Sequence, residues 1–86
     1  MVRRSRFDHY CDVLQVIEWG IEKPTRIMYK ANLTYKMLQN IVTTLVHNRF
    51  IREEISGTKK RYYITRKGKN VLHQDHQYLQ KVIAIQ

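Results

Sequence analysis

The chain has 86 residues, a formal charge of +9 and a pI near 10.0. That length holds one small domain, whose limited core leaves stability marginal or shared with a second copy. The charge excludes an acidic solvating tail and favours nucleic acid or an anionic surface as partner, and no apolar run approaches the roughly 18 residues of a membrane span.

At the start, Arg3, Arg4 and Arg6 have no apolar stretch behind them, so no secretory leader is expected. Phe7, Tyr10, Cys11, Leu14, Ile17 and Ile21 follow 3-and-4 spacing and predict an amphipathic helix over residues 8–22. Val13 and Val16 widen its apolar face, and Asp8 sits where the helix dipole favours a carboxylate. Cys11 lies on the apolar arc and reads as core, and a single cysteine fits a reducing interior. Gly20 and Lys23-Pro24 end the helix. A short helix follows from Thr25 to Lys30, then the turn Ala31-Asn32-Leu33. Thr34 is a suitable N-cap for a third helix, Tyr35 to His47, with Leu38, Ile41, Val42, Leu45 and Val46 inward. The period then changes. Two short runs around Ser56-Gly57-Thr58, the second being Arg61-Tyr62-Tyr63-Ile64, read as a hairpin with Tyr62 in the core. Thr65 can cap a last helix from Arg66 nearly to Gln86, about 30 Å long.

The order helix, helix, helix, hairpin, helix is mainly α with a small β-hairpin. A short helix, a tight turn and a third helix followed by a hairpin form a winged helix-turn-helix. The expected division is a DNA-binding domain over residues 1–65 and a C-terminal dimerisation helix over 66–86. Two stretches carry a resemblance. Tyr62-Tyr63-Ile64-Thr65-Arg66-Lys67-Gly68 resembles the strand-to-helix signature that closes many winged-helix domains. Thr25-Arg26-Ile27-Met28-Tyr29-Lys30-Ala31-Asn32-Leu33-Thr34-Tyr35 resembles small archaeal winged-helix DNA-binding proteins of the Sulfolobus "10a" type and related transcription regulators. The resemblance spans Phe7 to Leu79 and implies a homodimer whose last helices pair antiparallel.

The charge is sorted by segment. From Lys23 to Arg52 there are six lysines and arginines and no acid, and from Ile55 to Gln74 six more, again with no acid. Such sorting points to one positive face turned toward a polyanion. On a helical wheel, Lys36, Asn40, Thr43 and His47 lie opposite the apolar arc of the third helix, flanked by Gln39, Thr44 and Tyr35. Gln39 and Asn40 can pair bidentately with adenine, Thr43 can meet a thymine methyl, and Lys36 can reach guanine or phosphate. A plain solvated face is the competing account; the missing acids favour DNA. Lys59, Lys60 and Arg61 form a basic hairpin tip suited to phosphates, or an edge guarded by lysines against aggregation. Arg26 and Lys30 can touch the backbone beside the third helix. Arg3, Arg4 and Arg6 are either an arm for phosphate or minor groove, or a disordered basic start. Helix 1 keeps four acids because it faces away from phosphates, and Glu53-Glu54 interrupts the scheme.

The last helix carries an apolar stripe of roughly 160°, including Val71, Leu72, Tyr78, Leu79, Val82, Ile83 and Ile85. Its distal half is expected to meet another chain. Trp19, on the polar side of helix 1, joins Leu72, Tyr78, Leu79, Val82 and Ile83 in the expected dimer interface. Asp75 falls mid-stripe and is placed at a solvated crossing. His73 and His76 alone make a weak metal pair, and no phosphate loop, nucleophile triad or acid pair is present. The sequence therefore predicts no enzyme, cofactor, small-molecule ligand or membrane contact. Its expected partners are double-stranded DNA and itself, in a cytoplasmic, nucleoid-associated setting, as regulator or architectural chromatin protein. A winged-helix protein-interaction adaptor is the alternative.

Overall fold

A computed structural model describes residues 5–85; Arg3 and Arg4 lie outside the described residues. Helix α1 spans Arg6–Glu18, α2 Pro24–Ala31 and α3 Tyr35–His47; strands β1 (Ile51–Ser56) and β2 (Lys59–Ile64) follow, then α4 (Arg66–His73) and α5 (His76–Ile85).

Local chemistry fixes each boundary. Helix α1 begins earlier than its apolar period implies because Ser5 caps it: Ser5 Oγ accepts from the Asp8 amide at 3.2 Å and Asp8 accepts from the Ser5 amide at 3.0 Å. This reciprocal box satisfies two amide donors that a helix start leaves unpaired. Pro24 opens α2, where its missing amide costs nothing. Asn32 ends α2 in a left-handed conformation (φ 56°), and the Leu33 amide returns to the Met28 carbonyl at 3.0 Å. Thr34 then accepts from the Met37 amide at 3.2 Å and starts α3. Helix α3 runs over the residues its spacing predicts.

The hairpin is antiparallel, pairing Ile51 with Ile64, Glu53 with Tyr62 and Ile55 with Lys60. Its root is tied down twice. The Tyr62 amide donates to the Glu22 carbonyl at 3.0 Å, and the Thr65 amide donates to the Phe50 carbonyl at 3.1 Å. The Thr65 hydroxyl lies within bonding reach of the Arg49 and Phe50 carbonyls and accepts from the Gly68 amide. Gly68 passes so close to the Phe50 carbonyl that a Cβ there would collide with it. That approach is the physical reason for a glycine inside the first turn of α4.

The single long C-terminal helix expected from the apolar stripe is corrected: it is two helices. The amides of Gln74 and Asp75 both return to the Asn70 carbonyl, at 2.8 and 3.1 Å, which closes α4. Asp75 then accepts from the Tyr78 amide at 3.2 Å and caps α5. Aspartate is a strong N-cap residue, and capping outweighs continuity of the stripe. The bend brings α5 back over its own domain. Leu79 is fully buried, and Leu72, Val82 and Ile83 are buried with it in one core containing Val13, Leu14, Ile27, Leu38, Leu45, Phe50 and Tyr62. The distal stripe thus has a domain to reach, contrary to the expectation that it stands bare for a second chain. Tyr78 packs edge-on against Phe50 with ring centroids 6.1 Å apart, and Lys67 lies over both rings. Asp75 is exposed, as is Trp19. The whole is a winged helix-turn-helix with a two-helix closing segment.

Candidate nucleic-acid interface

Helix α3 buries Leu38, Ile41, Val42 and Leu45 and exposes Tyr35, Lys36, Asn40, Thr43 and His47, with Gln39 half-buried. One flank differs from the helical-wheel expectation. Thr44 is buried, because its hydroxyl donates to the Asn40 carbonyl one turn back at 3.2 Å and so carries no unmet polar demand inward. Thr43 makes the same kind of bond to the Gln39 carbonyl at 2.7 Å but points outward. Its donor is used locally, which leaves a lone pair and a methyl group for an outside partner.

Strand alternation sorts the hairpin into two faces. The inward face carries Ile51 and Ile64, then Glu53 and Tyr62, then Ile55 and Lys60. Ile51 and Tyr62 are buried, Glu53 is half-buried, and Ile55 and Lys60 are exposed, so this face leaves the core along its length. The outward face carries Arg52, Glu54, Arg61 and Tyr63. Arg52 pairs with Glu54 at 3.5 Å and lies 5.0 Å from the Tyr63 ring centroid.

Between α3 and the hairpin runs an open groove with two hollows. One, of about 410 Å³, is lined by Gln39, Val42, Thr43, Val46, His47, Glu53, Lys60 and Tyr62. The other, of about 450 Å³, is lined by Tyr35 and Gln39 of α3, Lys59, Lys60 and Arg61 of the hairpin, Thr58, and Lys23, Pro24 and Thr25 at the start of α2. Gln39 and Lys60 belong to both, so the recognition face of α3 and the basic tip are continuous. Arg6 joins from the other flank, sharing a small hollow with Met37, Asn40 and Ile41. Arg26 and Lys30 do not join. They line a separate hollow with Ile21 and Tyr29, and the Lys30 ammonium lies 6.0 Å from the Trp19 ring centroid.

Two groups were missed by the sequence reading. Lys23 reads only as part of the break between helices and Thr25 only as the start of the second helix, although a basic residue beside Pro24 in an acid-free window was a visible signal. Glu53 is the larger correction. It stands in the groove, so the acid-free map fails at that point, and it accepts from the Tyr62 hydroxyl at 2.8 Å. Burial first, and then this bond to a carboxylate, hold the Tyr62 phenol well above its ordinary pKa, so it stays protonated and donates.

His73 and His76 are engaged away from the groove. His73 Nε2 lies 2.9 and 2.7 Å from the two Glu18 carboxylate oxygens, joining α4 to α1, and His76 stacks edge-on against Phe7. Among the described residues no group of three or more His, Cys, Asp or Glu side chains is placed to hold a metal ion. No helix among them is long and apolar enough to cross a membrane.

Three comparisons bear on this architecture. The family described as winged helix-turn-helix matches residues 3–83. The uncharacterised protein MJ0287 of Methanocaldococcus jannaschii is 32% identical over 69 residues, which is 80% of this chain and 67% of that protein. Among solved structures, Sso10a-2, a DNA-binding protein from Sulfolobus solfataricus, superposes with a TM-score of 0.74 at 22% identity, over 95% of this chain and 85% of that one. F93 from STIV, a winged-helix DNA-binding protein, superposes with a TM-score of 0.67 at 17% identity, over 94% and 96% of the two chains. At these identities the superpositions show a shared fold.

Proposed function

The chain belongs to the winged helix-turn-helix family, and on that premise we propose that it binds double-stranded DNA. Helix α3 enters a major groove, and the hairpin tip lies along the flanking backbone. One observation carries this: the outward face of α3 continues, through Gln39 and Lys60, into a basic hairpin tip, with Glu53 the one acid lining the two hollows. Gln39, Asn40 and Thr43 face base edges, and Lys36 reaches guanine or phosphate. Lys59, Lys60 and Arg61, with Lys23 at the start of α2 and Arg6 beside Asn40, take phosphates and supply affinity more than sequence information. Two neighbours in fold are described as DNA-binding proteins, which supports the assignment.

The mode of action is proposed at two levels. Base-capable side chains on α3 favour a transcription regulator, while the number of phosphate-capable residues favours an architectural role. Either would place the protein on the nucleoid, in the cytoplasm. A homodimer would present two α3 helices to two half-sites. With Leu72, Leu79, Val82 and Ile83 inside the protomer, such a dimer has Trp19, Asp75, Tyr78 and Ile85 left to use.

The adaptor reading draws on one feature. Trp19 (62% exposed) and Tyr29 (78% exposed) lie outside the two hollows between α3 and the hairpin. Large exposed aromatics suit a protein partner. Measuring binding to a random duplex and to a pool of genomic fragments at several salt concentrations separates these accounts. A steep salt slope without enrichment supports the architectural role, and an enriched two-part motif supports a regulator. If no duplex binds near physiological salt, the DNA assignment is wrong. In the adaptor case, Lys36→Glu with Asn40→Ala leaves the activity intact.

A further inference from the structure

We propose that Glu53 is a specificity-determining residue of the α3–hairpin groove: an anchored carboxylate that turns phosphates away from the hollow and admits a base edge offering an amino group, cytosine N4 being the fitting donor. The proposal rests on the DNA-binding assignment above and names what that site selects.

The placement is unusual for a chain of this charge. The hollow collects Gln39, Thr43 and His47 from α3 and Lys60 from the hairpin, all groups that attract or tolerate an anion, and sets one acid among them. Glu53 is not free to swing out of it. Its cross-strand partner is Tyr62, whose ring is 1% exposed and whose hydroxyl donates to Glu53 Oε2 at 2.8 Å. A phenol fixed by a buried ring fixes the carboxylate in turn. Glu54, one residue on, faces the other side and pairs with Arg52.

The chemistry of such a group is one-sided. An ionised carboxylate only accepts. Phosphate oxygens, guanine O6 and N7 and thymine O4 are also acceptors, so they are opposed. Cytosine N4 and adenine N6 donate, and glutamate is matched to cytosine N4 in the major groove. The repulsion lowers affinity for any duplex and is relieved only where a donor sits opposite, which is how a repulsive element creates specificity. A simpler account gives Glu53 the sole task of accepting from a buried tyrosine hydroxyl. Glutamine performs that task equally well and carries no charge.

Glu53→Gln therefore separates the two accounts, with Glu54→Gln as a control of equal charge change on the opposite face. Both variants of the full chain should melt within a few degrees of the wild type. A carboxylate and a phosphate about 6 Å apart in water, at moderate salt, interact by enough to change affinity roughly twofold. Glu53→Gln is expected to tighten binding to a random duplex by about that factor beyond Glu54→Gln. Selection from a randomised duplex pool should yield a cytosine position with the wild type and lose it with Glu53→Gln. If the wild type binds DNA but the two variants behave alike in affinity and in enriched sequence, the role of Glu53 is refuted while the DNA assignment stands. If the wild type binds no duplex, the DNA assignment falls first.

Discussion

Leu79→Ala tests whether α5 belongs to its own protomer. Leu79 is 0% exposed within the single chain, at the point where α5 comes back over the core. Truncating a fully buried leucine costs about 2–5 kcal/mol, depending on how far the site collapses. Taking about 3 kcal/mol is severe here, because 86 residues support only about 4–13 kcal/mol of net stability. In a domain of this size each kcal/mol moves the midpoint by roughly 4–8 °C, so a loss of about 12–24 °C is expected. Gln80→Ala, exposed on the same helix, should stay within about 0.5 kcal/mol of the wild type. The assay is thermal unfolding by circular dichroism, repeated over a hundredfold range of protein concentration. An intramolecular contact makes the Leu79→Ala loss the same at every concentration, even if the protein dimerises through other residues, whereas a segment packed on a second chain makes the concentration dependence itself vanish in the variant. A Leu79→Ala loss below about 1 kcal/mol, or a wild-type midpoint that climbs with concentration while the variant's does not, would refute the intramolecular packing.

Three further outcomes are expected. Gly68→Ala should destabilise by about 1–3 kcal/mol or more, since its methyl must displace the Phe50 carbonyl that Thr65 also engages; chemical denaturation measures this. Replacing Lys59 and Lys60 together by alanine should weaken random and selected duplexes alike and lower the slope of log affinity against log salt by about two, read by fluorescence anisotropy. The His73 hydrogen bond, more than any other interaction, holds the Glu18 carboxyl below its ordinary 4.5. A depressed folded value means the contribution is fully present above 4.5 and is lost as pH falls through the lower folded value. Denaturation midpoints of the wild type should therefore drop in that acid window, and Glu18→Gln should flatten the drop.

How far the sequence could be read differs from element to element. The bounds of helix α3 were legible because an N-cap threonine and a five-residue apolar arc agree on them. The break after His73 was not, since the apolar stripe keeps its period across it. The cue was Asp75 itself, which reads equally as a buried charge on a long helix or as a cap on a new one; only the Tyr78 amide decides between them. Ser5 left a visible cue, the Asp8 three residues on that completes a capping box, but the apolar period begins only at Phe7 and masks the earlier boundary. Thr44 looks polar on a wheel, yet a hydroxyl satisfied by the preceding turn can be buried. Glu53 depended on register. Alternation assigns Tyr62 to the core side, but only the pairing of the two strands shows which residue of β1 shares that side.

The two anchored roots of the hairpin have an evolutionary consequence. Glu22, Phe50, Thr65 and Gly68 lock its base to the domain through backbone bonds and one close approach. Ile55 to Lys60, by contrast, are exposed and enter none of these ties. Mutations at the tip can thus alter how tightly the protein grips its target while the domain's folding free energy is barely touched. Mutations at the root alter foldedness first. On the proposed DNA-binding role, grip and foldedness would be nearly separate properties along a single fourteen-residue hairpin, Ile51 to Ile64, so a change in the one need not endanger the other.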